Sequence, residues 1–293
     1  MRAASALALA LVAVAPAAEA QQPPLEELLD KAARYVRGFE QTFATVISDE
    51  LTTQREHLTR RDRGITKVAE SRRTIRSETM FMFAGEERSW ITVRNVLQVD
   101  NRAVADSRQR LDRLLTETPS GAIADRLRRL RDESTRFNLG GIQRNSSDPM
   151  LPFQFLDPTY QPRFQFTLDG PDAVAGVPAW KVAFAERVFP TVVTVDGNPQ
   201  PASGAIWLTS SGIVLRTSLR LANTLTNLSA EVDVTYAQDR KIGGWVPSRM
   251  NEVFNQAPRD TGAENTITDL VTCVSVYSNF RRFETTTRLL TPK

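Results

Sequence analysis

From Arg163 to Phe283 the sequence reads as strand after strand, with no helical stretch between them. Phe164, Phe166 and Leu168 alternate with polar neighbours, and Trp180, Val182 and Phe184 alternate with Lys181, Ala183 and Ala185. Further strand patterns follow at Thr191 to Val195, Ile206 to Thr209, Ile213 to Leu221, Leu228 to Tyr236, Val246 to Phe254 and Ile267 to Phe283. Ser210-Ser211-Gly212 reads as a tight hairpin turn, and Asp169-Gly170, Asp196-Gly197-Asn198 and Gly243-Gly244 punctuate the rest. Strands joined by turns alone must pair antiparallel, because a parallel pair needs a long crossover. Eight or more such strands have to curl or close to protect their edges. The last strand, with its dense Tyr277, Asn279, Phe280, Arg281, Arg282 and Phe283 cluster, is expected to close the sheet.

The N-terminal half has a different texture. Pro23 and Pro24 precede a helix to about Ala44, since Leu25, Leu28, Leu29, Ala32, Tyr35, Val36, Phe39 and Phe43 recur at three- and four-residue spacing. Three long strands follow at Ile47 to Thr59, Ile65 to Phe83 and Ser89 to Val99, then helical patterns at Asp106 to Thr116 and Ser120 to Phe137. Asn138 to Pro152, with Gly140 and Gly141, reads as a loop, with a short helix after it through Leu156. The fold class expected is therefore mainly β, of the α+β kind: a large curved antiparallel sheet with amphipathic helices laid on its concave face. Whatever the helices leave open is a cavity lined by the inward members of Phe164, Phe166, Trp180, Phe184, Ile206 and Leu208.

Residues 1–20 carry the marks of a cleavable signal peptide: Arg2, an apolar run from Ala3 to Ala15, and the small-x-small triplet Ala18, Glu19, Ala20. The run is too short to span a bilayer and no later stretch approaches the length needed. The expectation is a single domain over residues 21–293, exported to the periplasm and without a transmembrane segment. Cys273 is the only cysteine, so no lipid-anchoring cysteine stands at the cleavage site and no intramolecular disulfide forms. With His57 the only histidine, the usual zinc ligand sets cannot be assembled. Neither a metal nor a cofactor is expected. The formal charge of +3 is carried mostly by arginine, including Arg60, Arg61, Arg63 and Arg126, Arg128, Arg129, Arg131. In an exported protein these face envelope lipids and glycans before nucleic acid, and the plain reading is solvated surface charge.

Several local patterns recur in one known group. Pro178-Ala179-Trp180-Lys181-Val182 is followed by Gly204-Ala205-Ile206-Trp207-Leu208 with its Ser211-Gly212 turn, then Val214-Leu215-Arg216, and Tyr236 before Gly244-Trp245-Val246-Pro247. This succession, together with the element order, resembles the periplasmic lipoprotein-carrier half-barrel superfamily: the lipoprotein-localisation A and B (LolA/LolB-like) proteins and related envelope-stress regulators. The resemblance implies a half-barrel whose cavity takes acyl chains or hydrophobic partners. Thr209 stands where such proteins often carry an aspartate, so fold carries over more readily than cargo.

Catalytic signatures are lacking. No serine sits in a Gly-x-Ser-x-Gly elbow, His57 lies on a strand between Glu56 and Leu58, and Gly140-Gly141 has no lysine-serine sequel. Asp49 and Glu50 point to opposite faces of their strand, and Cys273 sits in an alternating strand as a packing residue. The expectation is a non-enzymatic binding or carrier protein for a hydrophobic or lipidated ligand in the bacterial envelope. Its partners are acyl chains, lipids or lipoproteins, and its ligand-binding residues are Trp180, Val182 and Phe184 with Phe164 and Phe166. The alternative is an envelope sensor or scaffold that uses the same sheet to contact protein partners.

Overall fold

In the computed structural model, the described residues are 22–43, 46–62, 64–84, 89–107, 110, 123–140, 148–195, 198–223, 228–256 and 265–282. The expected signal peptide lies outside them, as does most of the helix read at Asp106 to Thr116. Helix α1 spans Leu25–Phe43. Strands β1 (Val46–Asp62), β2 (Ile65–Ala84) and β3 (Ser89–Val99) follow, then the two-residue β4 (Arg102–Ala103). Helices α2 (Ile123–Ser134) and α3 (Leu151–Phe155) lead into β5 (Phe164–Val174) and β6 (Val177–Glu186). The remaining strands are β7 (Val193–Val195), β8 (Asn198–Gln200), β9 (Ala202–Leu208), β10 (Val214–Asn223), β11 (Leu228–Asp239), β12 (Gly244–Gln256) and β13 (Asn265–Arg282).

Eleven strands form one sheet in the order β4-β3-β2-β1-β13-β12-β11-β10-β9-β6-β5, every neighbour antiparallel. The sheet is open, with β4 and β5 at its edges. It is the expected mainly β half-barrel, curved around helices. Two expectations need correction. The last strand does not close the sheet: β13 sits in its interior, paired to β1 on one side and β12 on the other. Alternating apolar residues on a strand buried on one face do not say whether its edges are both paired, so the error was one of pairing rather than of type. The segment at Thr191 to Val195 also stays out of the large sheet, because β7 pairs only with β8 in a two-stranded ribbon.

The apolar stripe of α1 is buried where the sequence placed it, through Leu28, Ala32, Val36, Phe39 and Phe43. It crosses the concave face. Near its start the backbone at Lys31 touches the β9–β10 hairpin, where a Cβ on Gly212 would lie 2.4 Å from the Lys31 carbonyl carbon. Near its end Phe43 packs on Phe81 of β2 and Phe280 of β13, with ring centroids 5.4 and 6.3 Å away. Burying each such side chain contributes about 1.5–3 kcal/mol, which is what holds a helix with no sequence-local reason to lie there.

Candidate functional site

The five residues expected to line a ligand site are brought together. Trp180, Val182 and Phe184 alternate along β6 and are all buried on the concave side, while Lys181, Ala183 and Ala185 face the other way and are half-exposed. Phe166 lies directly opposite Phe184 and Phe164 opposite Glu186 in the β5–β6 ladder. Phe164 is buried and Phe166 is half-buried. The wall continues through Ile206, Leu208, Leu219, Val232, Val234 and Phe254 on the neighbouring strands.

Phe184 has its position because of Gly204, which the sequence reading placed in a strand pattern without a conformational role. Gly204 lies opposite it on β9 with φ +156°. A Cβ at Gly204 would come 1.9 Å from the Ser218 carbonyl oxygen and 3.1 Å from the Phe184 ring. Only glycine allows the backbone of β10 and the ring to approach from both sides.

This wall is covered by α3. Phe155 packs tilted against Phe164 at 4.6 Å and against Phe184 at 5.4 Å between ring centroids, and Phe153 bridges Tyr236 of β11 and Phe39 of α1, each at 5.1 Å. The Tyr236 hydroxyl donates to the Pro149 carbonyl just before α3, and burial pushes that phenol well above its ordinary pKa. The polar read of Asn138 to Pro152 gave no sign that its end dives into the core; the signal available was the apolar set Met150, Leu151, Phe153, Phe155 and Leu156.

On β1, β2 and β3 the concave face carries a polar patch beside the Phe81 and Trp90 rings, and sequence reasoning missed it. Glu50 is buried on β1, and Arg94 of β3 donates from Nε to both of its oxygens at 3.0 and 2.8 Å. Thr79 of β2 adds a third hydrogen bond at 2.6 Å. Burial pushes the Glu50 carboxyl up, but the Arg94 guanidinium and the hydrogen bonds from Thr79, Arg94 and Ser275 outweigh it and hold the group below the usual carboxylate range. One step along, the Thr52 and Ser275 hydroxyls are 2.8 Å apart. Gln54 then binds the chain after α2: its amide donates to Asn138 Oδ1 and its carbonyl accepts from the Leu139 N–H. As expected, Asp49 faces outward, paired with Arg281 at 2.9 Å, while Glu50 faces inward. His57 is exposed and Cys273 is buried in the strand. Among the described residues no cluster of His, Cys, Asp and Glu is placed to hold a metal ion, and no helix is long and apolar enough to cross a membrane.

No family model and no curated protein matches the chain. Several solved structures are similar. A DUF1329 family protein from Desulfovibrio piger has 11% identity and a TM-score of 0.32, with 89% of this chain and 94% of that one covered. A domain described as an outer membrane lipoprotein-sorting protein, from Vibrio parahaemolyticus, has 9% identity and a TM-score of 0.32 over 88% and 92% of the two chains. A LolA superfamily protein from Nitrosomonas europaea has 7% identity and a TM-score of 0.29 over 89% and 94%. The superfamily that the sequence resembles is thus represented among them, while the half-barrel itself is read from this chain's own strand order.

Proposed function

We propose that this is an exported, non-enzymatic binding protein of the bacterial envelope that carries a hydrophobic or lipidated ligand, residues 1–20 being its cleaved signal peptide and the periplasm its compartment. The observation that supports the reading is the aromatic wall of Trp180, Val182, Phe184, Phe164 and Phe166, roofed by the five-residue helix α3. A helix this short has almost no stability of its own, so its place depends on the rings it buries. An acyl chain offers those rings the same apolar contact. Entry of ligand then exchanges Phe155 for methylenes on the wall, with α1 left in place.

Each buried methylene contributes about 0.8 kcal/mol, so six or seven provide ~5 kcal/mol before association costs and the displacement of α3 are subtracted. Binding should be weak for short chains and rise with length. The test is titration of the purified protein with fluorescent fatty acids of increasing length, alongside analysis of lipid extracted with protein purified from its native host. Phe184→Asp, with circular dichroism showing the fold intact, should abolish binding by placing an unpaired carboxylate in the wall. Wild-type protein that binds no fatty acid at tens of micromolar would sink the carrier reading and leave the sheet as a scaffold for a protein partner.

A further inference from the structure

The two edges of the sheet are finished differently. One ends in the two-residue β4, and α2 packs along β3 beside it. The other is β5, 11 residues long, and among the described residues no strand pairs with its outer side. Edges of that length are usually blunted by a lysine, a proline or a bulge. β5 has two of these, a register shift between Leu168 and Gly170 and then Pro171, but neither protects its first half. From Phe164 to Leu168 it reads Phe-Gln-Phe-Thr-Leu, without a charge and rich in strand-forming side chains.

Hydrogen-bond parity says which backbone groups face out. The Arg187 N–H donates to the Arg163 carbonyl at 2.8 Å, so Arg163, Gln165 and Thr167 direct their N–H and C=O groups toward β6. Phe164, Phe166 and Leu168 direct theirs away from the sheet. The side chains of these three lie on the concave face, where Phe166 and Leu168 are only half-buried. Gln165 and Thr167 are exposed on the convex face.

We propose that this half of β5 pairs antiparallel with β5 of a second copy of the chain, about a two-fold axis through Phe166. In that register Phe166 meets Phe166 of the second copy and Phe164 meets Leu168, so every outward N–H and C=O of the three residues gains a partner. An axis at Gln165 would set Leu168 against Pro162, which has no N–H, and one at Thr167 would set Phe164 against Gly170, past the register shift. Charge selects the same register. Arg163 and Arg187 stand at one end of the strip and Asp169 and Asp172 at the other, and the two-fold brings each acidic end to a basic one, Asp169 directly opposite Arg163 of the second copy. Within each copy Asp169 keeps Lys181 at 3.0 Å and Arg163 keeps Glu186 at 3.7 Å, so these charges fix register more than they add affinity. The strip is thus its own complement, ring to ring, amide to hydroxyl and acid to base, whereas an unrelated strand would satisfy the backbone alone. The pairing sets two concave faces side by side and adds Phe166 and Leu168 of the second copy to the aromatic wall. It rests on the sheet edge and holds whatever the concave face carries.

The test is sedimentation equilibrium of the purified protein, which should show a monomer–dimer equilibrium. Gln165→Lys with Thr167→Lys sets like charges opposite each other twice across the two-fold and should weaken the dimer roughly tenfold. Gln165→Glu with Thr167→Lys sets opposite charges there and should tighten it. These positions are exposed and outside the aromatic wall, so the monomer should fold as before. In the proposed register Gln165 and Thr167 of the second copy form a non-hydrogen-bonded pair with Cα atoms about 4.5 Å apart, within disulfide reach. A mixture of Gln165→Cys and Thr167→Cys proteins should therefore cross-link under mild oxidation faster than either protein alone, the buried Cys273 taking no part. A protein that stays monomeric up to hundreds of micromolar would overturn the proposal and leave the edge to an extended segment of another protein. Unchanged dimerisation of the Gln165→Lys, Thr167→Lys variant, or cross-linking of the mixture no faster than of the single variants, would overturn it too. Because fatty-acid titration reads the wall within one copy, failure here and failure of the carrier reading are separable.

Discussion

The two halves of the concave face bury their side chains for opposite reasons. Under α3, the strands β5, β6 and β9 to β11 present rings and aliphatics whose contacts are non-directional, so a different apolar body of similar volume would serve as well. Beyond the Phe81 and Trp90 rings that meet the end of α1, and under the chain after α2, the strands β1, β2 and β3 present Glu50, Arg94, Thr79, Thr52 and Gln54, whose contacts are directional and whose partners are fixed. β13 is the seam: its inward Cys273 lies between Gln54 of β1 and Glu252 of β12, and its inward Ser275 between Thr52 and Met250. The cover of one half therefore rests on non-directional contacts and that of the other on directional ones.

The largest effect that tests this contrast is in the polar half. Arg94→Met removes the cation from a carboxylate that is fully buried and should cost about 3–5 kcal/mol in denaturant unfolding. Adding Glu50→Leu should recover most of the loss, because the penalty lies in the orphaned charge rather than in the missing attraction. If the double variant were no more stable than Arg94→Met alone, the pair would not be acting as a unit. In the apolar half, Phe155→Ala should cost about 3 kcal/mol through the cavity left over Phe164 and Phe184. On the carrier reading the same change should tighten fatty-acid binding, since less cover has to be displaced. A variant that is destabilised and also binds more weakly would show that Phe155 belongs to the site rather than to its roof. At the seam, Cys273 is buried directly between Gln54 of β1 and Glu252 of β12, so Cys273→Ser meets polar neighbours and should cost no more than about 1 kcal/mol. A thermal melt shifted by reductant would contradict the disulfide-free fold that a single cysteine implies.

The apolar half was legible in the sequence, and the reason is periodicity. Trp180, Val182 and Phe184 against Lys181, Ala183 and Ala185 fix which side of β6 is inside, and Leu28 to Phe43 fix the buried stripe of α1, because burial repeats at the period of the element. The polar half was not. Glu50 and Arg94 stand 44 residues apart, and nothing local to either says that two intervening turns bring them within 2.8 Å. Inward-facing Ser48, Glu50, Thr52 and Gln54 also invert the usual pattern, so β1 reads as a strand with its polar side out. Gly204 illustrates a third limit, since its need for a positive φ comes from the Ser218 carbonyl on the next strand. The strand order, with the last strand lodged beside the first, is likewise a long-range fact.

The smallest expected effect separates two carboxylates that face the same guanidinium. Burial pushes the Asp148 carboxyl up, and the Met150 N–H, Thr92 and Arg94 offset this only in part, so its pKa is raised, whereas that of Glu50 is lowered. The signs lead to opposite pH dependences. Glu50, depressed in the fold, contributes stability that is present above the unfolded carboxylate range and lost as pH falls through its folded value. Asp148, raised in the fold, binds its proton more tightly there than in the unfolded chain, so it costs stability as pH rises through the same range. Asp148→Asn keeps an oxygen to accept the Met150 N–H, which reaches Asp148 Oδ1 at 2.8 Å, and removes the charge. It should therefore stabilise the protein at pH 7, by a few tenths to about 1 kcal/mol, and the gain should vanish near pH 3, where both states are protonated. Urea unfolding of the two proteins at pH 7, 5 and 3 reads this directly. The variant should also lose stability more steeply on acidification, because the Glu50 contribution then falls with nothing to oppose it. An Asp148→Asn variant less stable than wild type at pH 7 would mean that the Asp148 charge supports the cluster around Arg94, and the polar half would then hold three charges in balance rather than one pair and a half-buried acid.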